Sequence, residues 1–168
     1  MKKSMITLLT IATFVLLPQV THAATTEVTW TDHEKYRDIK PSNESRKHFR
    51  ERVFKNFEKH FIKLAEKLPE GQILKLNITD VDLAGDTHVG GVDQIRIVKD
   101  IYFPKMNFSY SLFDANGIVV LSEEVILKDM NFMMGNTLKY KNKSLGYEKK
   151  MIDEWFTETF KSYLIEKK

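Results

Sequence analysis

Cysteine is absent from all 168 residues. Without thiols, disulfide staples, cysteine–zinc sites and thiol nucleophiles are excluded, and packing alone must hold the fold together. Glycine (7) and proline (4) are few and scattered, and no internal repeat or low-complexity linker divides the chain. The glycine motifs of Rossmann and P-loop folds are missing, as is the G-x-S-x-G elbow of the α/β hydrolases. Neither sign of charge dominates: 26 Lys+Arg face 23 Asp+Glu. Beyond the first two dozen residues no apolar run reaches the roughly 20 residues that span a bilayer.

The start of the chain reads as a cleavable export leader. Lys2 and Lys3 form a basic head, Met5 to Leu17 an almost unbroken apolar run, and Thr21-His22-Ala23 a small-residue cleavage site. Pro18, Gln19 and His22 end the run too early for a membrane anchor. No cysteine follows it, so lipid modification is excluded. Removing Met1 to Ala23 takes away Lys2 and Lys3 and no acids, leaving 24 basic against 23 acidic side chains, a net charge of +1. Nothing in that balance points to nucleic acid. The expectation is a periplasmic protein in which residues 24–168 form one domain, long enough to bury about 68–70% of its unfolded surface.

Within that domain the periodicities suggest α+β. Glu27 to Thr31 alternates, with Val28 and Trp30 on one face. Pro41-Ser42-Asn43-Glu44 is a helix start, with Ser42 or Asn43 as N-cap. Phe49, Val53, Phe54, Phe57, Phe61, Leu64, Ala65 and Leu68 then fall within a helical arc of about 160°, His60 lies at its border, and Pro69 and Gly71 end the helix. Gln72 to Leu83 reads as a strand whose phase slips: Leu74, Leu76 and Ile78 share one parity, Val81 and Leu83 the other. Such a slip needs a bulge or a strand end near Thr79.

Ala84 to Gly91 is read as a loop, and Val92 to Val98 as a strand with Ile95 and Ile97 inward. Pro104 argues against a central strand at Lys99 to Lys105. Met106, Phe108, Tyr110 and Leu112 alternate, Asp114-Ala115-Asn116-Gly117 is a hairpin turn, and Ile118 to Leu127 is its partner strand. Lys128 to Tyr147 is a polar, Met-rich connection. Glu148 to Glu166 is a second helix whose apolar stripe, spread over about 220°, implies contact with more than a sheet. The predicted order is β-α-β-β-β-β-α: a mostly antiparallel sheet of four to five strands packed with two amphipathic helices.

Several of these runs together resemble a known family. Thr29-Trp30-Thr31-Asp32, Ser45 to Gln72, Ile78 to Asp86, Arg96 to Pro104, Phe108 to Gly117, Leu127 to Met133 and Leu145 to Phe156 are similar to exported bacterial proteins grouped as domain of unknown function 3016 (DUF3016). The resemblance covers about Thr26 to Phe160. It implies a single exported domain and brings no activity or site residue with it.

Three constellations are candidates for function. Asp80, Asp82 and Asp86, followed by His88, offer hard oxygen ligands to a divalent cation, the basis for a metal-dependent hydrolase. Asp80, Asp82 and Gly85 take the first, third and sixth positions of a calcium loop, but Ala84 and Gly91 occupy its fifth and twelfth, where oxygens belong. The competing reading is that these carboxylates satisfy loop N–H groups or pair with Arg96. Met130, Met133 and Met134 offer soft thioethers suited to Cu(I), or else a gap-filling or interaction surface. Tyr102 and Phe103, with Phe132 from the Met-rich run, either close the core or extend an exposed apolar patch. His33, His48 and His60 are scattered, and His60 reads as a packed core histidine. The reading preferred overall is a non-enzymatic envelope domain that binds a partner protein or small ligand.

Overall fold

The computed structural model describes residues 23–41, 44–88, 95–135 and 138–164. The expected leader lies outside them apart from Ala23, as do Ser42, Asn43 and the Gly90–Gly91 pair. The elements run β1 (Thr25–Trp30), α1 (Arg46–Ala65), β2 (Ile73–Asp82), β3 (Asp86–His88), β4 (Ile95–Ile97), β5 (Lys105–Phe113), β6 (Val119–Lys128) and α2 (Gly146–Thr159). The expected α+β class and element order hold, with one additional strand, β3.

Four strands form one sheet in the order β1-β2-β5-β6. β1 is parallel to β2, with Thr25 opposite Ile73. The β2–β5 and β5–β6 pairs are antiparallel. The phase slip in β2 is a bulge: the register shifts between Ile78 and Asp80, so Val81 returns to the face of Leu74, Leu76 and Ile78. That region is pinned from outside the sheet. The Ile78 carbonyl accepts the Thr31 N–H at 2.9 Å and the Tyr36 hydroxyl at 2.6 Å. The β5–β6 turn closes on Asp114, whose carboxylate accepts the N–H groups of Asn116 and Ile118 at 2.9 and 2.8 Å.

Only one face of the sheet is buried, and both helices lie on it. On the α1 side, Trp30 stacks on Phe54 with ring centroids 4.0 Å apart and donates to Glu58 at 2.8 Å. On the α2 side, Trp155 meets Phe108 and Tyr110 edge-on at 4.8 and 5.3 Å. Phe57, Phe61, Leu64, Leu74, Ile78, Leu112, Ile152 and Phe156 are buried between these layers in one cluster. At roughly 1.5–3 kcal/mol for each fully buried large apolar side chain, this cluster is the main favourable term for folding. Among the described residues β6 is an open sheet edge, with Val119, Val120 and Ile126 exposed.

Three local expectations are corrected. The N-cap of α1 is Ser45, whose hydroxyl accepts the His48 N–H at 3.3 Å, later than the Ser42 or Asn43 expected. Asp86–His88 is a strand rather than loop. It pairs with β4 in a separate two-stranded ribbon, so Ile95 has no core to face and is 59% exposed.

Candidate ligand-binding site

The structure does not gather the acidic run. Asp80 and Asp82 flank inward-facing Val81 and project from the opposite face of β2. Asp80 accepts the Arg37 N–H at 2.9 Å and lies 3.6 Å from its guanidinium, and Asp82 pairs with Lys105 at 3.0 Å. Asp86 and His88 belong to the β3–β4 ribbon. Among the described residues no group of three or more His, Asp or Glu side chains is placed to hold a metal ion. Gly85 serves the ribbon: at φ +83°, a Cβ there would stand 2.7 Å from the Ile97 carbonyl oxygen. Arg96 pairs with none of these aspartates. It meets Asp38 at 2.7 Å.

The Met-rich run divides. Met130, Met133 and Met134 are exposed, whereas Phe132 is fully buried and meets Tyr147 edge-on at 4.8 Å. Phe132 therefore anchors the loop and is withdrawn from any surface patch, and its contact with the first turn of α2 helps explain that helix's broad apolar stripe. Tyr102 and Phe103 are half-buried. The Tyr102 carbonyl accepts the Gly85 N–H at 2.9 Å, and the Lys105 ammonium sits 4.6 Å from the centre of the Phe103 ring. The two loops meet where Asp129 N–H donates to the Pro104 carbonyl at 3.2 Å.

A different set of residues forms a cavity. Between α1, α2 and the connection leading into α2 lies a pocket of about 240 Å³. Its lining includes Lys63 from α1, Lys67 from the turn that follows it, Lys139 and Lys143 from the connection, and Lys149 from α2. The one carboxylate in this lining is Asp153, and its charge is already engaged. His60 Nε2 lies 2.7 Å from Asp153 Oδ1, close enough for an ion pair though without hydrogen-bond alignment. Asp153 Oδ2 accepts the Tyr140 hydroxyl and lies 3.4 Å from the Lys139 ammonium. Burial alone would raise the Asp153 carboxyl, but the contacts from His60, Tyr140 and Lys139 outweigh it and hold it far below the usual carboxylate range. Lys63, Lys67 and Lys143 form no ion pair among the described residues.

The connection carrying two of these lysines is held tightly. The Tyr140 carbonyl accepts the Lys143 N–H at 2.9 Å, and the Lys143 carbonyl accepts the Gly146 N–H at 3.1 Å. Leu145 has a left-handed backbone, φ 55° and ψ 38°, a strained conformation for a branched residue. A Cβ at Gly146 would collide with the Tyr140 carbonyl. The lysines are thus presented from a constrained turn, which lowers the ordering cost of binding.

A second cavity of about 280 Å³ adjoins, and Lys143 lines both. At its edge Glu148 is buried (3% exposed) and accepts the Ala84 N–H at 2.8 Å. Burial raises the Glu148 carboxyl, while the Ala84 N–H and the Arg96 charge oppose that shift without cancelling it. A carboxyl raised in the fold stabilises most fully below its unfolded value, near 4.3, and that contribution is lost as pH rises through the folded value. Glu148→Gln keeps an acceptor for Ala84 and cannot ionise. It is expected to melt above the wild type at pH 8 and to lose that advantage toward pH 4. Thermal melts across this range check the sign, and a wild type that gains on the variant as pH rises would reverse it.

His60 at the border of the α1 stripe was the sequence's one visible hint of this site. The lysines, Tyr140 and Asp153 come together only in three dimensions. A family described as "Protein of unknown function (DUF3016)" matches residues 24–158. No curated protein and no solved structure matches the chain.

Proposed function

The chain belongs to the DUF3016 family, a membership that assigns it no activity, and we propose that it is an exported, non-enzymatic binding domain that takes a small anionic ligand in the lysine-lined pocket. One observation carries this reading. Five lysines from α1, the turn after it, the connection and α2 line one cavity, and the only carboxylate in that lining is already engaged by His60, Tyr140 and Lys139. Ammonium groups lining a concave surface focus a positive potential that an incoming anion relieves. The carboxylate–metal alternative has no comparable support, since Asp80 and Asp82 each face a cation. Export rests on the basic head, apolar run and small-residue site of the leader. No described helix is long and apolar enough to cross a membrane.

Calorimetric titration with inorganic phosphate, pyrophosphate and citrate tests the binding reading. Affinity should fall as salt rises. The triple change Lys63→Gln, Lys67→Gln and Lys143→Gln should weaken the best of these anions by at least about tenfold, at upward of about 0.5 kcal/mol for each ammonium removed. Binding unaltered by the triple change, or no binding of any of the three anions, would overturn it. Mass measurement of the mature protein tests export: the expected N-terminus is Ala24.

A further inference from the structure

The second cavity differs in chemistry from the lysine pocket it adjoins. Phe49, Val53, Val98 and Leu145 supply apolar walls. Two of its cations already have partners: Arg52 pairs with Glu44 and Arg96 with Asp38. Moving from the lysine pocket past Lys143, an occupant meets this apolar wall, with Lys40, Arg52, Arg96 and Glu148 also in the lining.

Ser144 lines the second cavity and Lys149 the lysine pocket, and Asn56 bonds to both. Asn56 Nδ2 donates to Ser144 Oγ at 3.0 Å, and Lys149 Nζ donates to the Ser144 carbonyl at 2.9 Å and to Asn56 Oδ1. Lys149 makes no ion pair among the described residues. Its hydrogen bonds go to neutral oxygens alone, and burial pushes its pKa down although the charges of Glu148 and Asp153 oppose that shift. A partly buried ammonium with no carboxylate in contact is unfavourable in the free protein, and an anion beside it would supply that contact.

Resting on the anion-binding reading above, we propose that the two cavities form one site for an anionic amphiphile. Its phosphate or carboxylate head is held at Lys143 and Lys149, and its apolar body lies against Phe49, Val53 and Leu145. The match is one of charge and polarity on adjoining walls. Lysines without carboxylate partners receive the head, and side chains with no polar group to satisfy receive the body.

Monomeric alkyl phosphates from ethyl to hexyl, used below their micelle concentrations, test this by calorimetry. Affinity should rise by up to about fourfold for each added methylene that enters the cavity. Phe49→Ala should flatten that rise while leaving pyrophosphate affinity within twofold, since Phe49 does not line the lysine pocket. Lys149→Gln should weaken every alkyl phosphate about equally and keep the slope. Hexyltrimethylammonium should not bind, and pyrophosphate should compete with hexyl phosphate.

The failures separate. If inorganic anions bind but ethyl and hexyl phosphate bind alike, the apolar half is wrong and the anion site stands. If no anion binds at all, the underlying reading falls with it. Equal binding of the hexyl cation removes the assignment of the head. Co-sedimentation with phosphatidylglycerol vesicles, undiminished by Lys149→Gln and without monomer binding, places the contact on a membrane surface and overturns the cavity proposal.

Discussion

Phe57→Ala is expected to lower the free energy of unfolding by about 3–5 kcal/mol, the range for emptying a buried aromatic site. Phe57 is fully buried on the sheet-facing side of α1, with the Trp30 ring centre 6.2 Å from its own. Helix and sheet both have regular backbone here, so neither collapses readily into the space a lost ring leaves. Against a total stability of about 5–15 kcal/mol for a domain, such a loss brings the chain close to unfolding. Phe54→Ala is the control. Phe54 is half-buried and stacks on the other side of the helix stripe against Trp30, and its removal should cost about half as much or less. Urea titration of both variants checks the order. Equal losses would mean that the layers do not meet around Phe57.

Arg96→Met is expected to cost about 2–4 kcal/mol, somewhat less than the loss of a partner from a fully buried pair. The guanidinium reaches from the β3–β4 ribbon into the body of the protein, donating to Asp38 and the Gly85 carbonyl at 2.7 Å each and to the Lys40 carbonyl at 3.3 Å. Asp38 is only 8% exposed, and its second oxygen already lacks a partner. Removing Arg96 therefore strands one carboxylate and takes a favourable charge away from Glu148. The penalty comes from the charge left behind more than from the attraction lost, so Arg96→Met combined with Asp38→Asn should recover part of the stability. Additive losses in that cycle would show that Arg96 acts through its backbone contacts alone.

What could be read from the chain beforehand followed the range of each interaction. The α1 stripe, the β5 alternation and the Asp114–Gly117 turn depend on neighbours a few residues apart, so periodicity and turn chemistry displayed them. The phase slip was legible for the same reason: the parity change at Val81 required a bulge or a strand end near Thr79, and the register shift shows the bulge. β3 is only three residues long, too short for alternation to register, and its partner β4 gave the impression of a core strand because Ile95 and Ile97 alternate regardless of what they face. The parallel β1–β2 pair joins Thr25 to Ile73, a separation over which no local pattern carries information.

The candidate site was harder for the same cause. Met130, Met133 and Met134 drew notice because they cluster in sequence, yet Phe132 among them points inward. Lys63, Lys67, Lys139, Lys143 and Lys149 each look like ordinary solvated lysines, and only the meeting of the end of α1, α2 and the segment between β6 and α2 makes them one surface. Asp153, in the lining of that surface, carries no mark in a helix that also holds Glu148, Lys149, Lys150, Glu154 and Glu158.

The open β6 edge has a consequence for life at high concentration. A strand of ten residues offering an unpaired row of amides and carbonyls is a template on which a neighbouring copy can stack, and exposed Val120 and Ile126 favour it. Glu123 and Glu124 stand near mid-strand. Two copies meeting head to tail there would crowd four acidic side chains into one seam, so resistance to fibre growth depends on two residues that add little to the core.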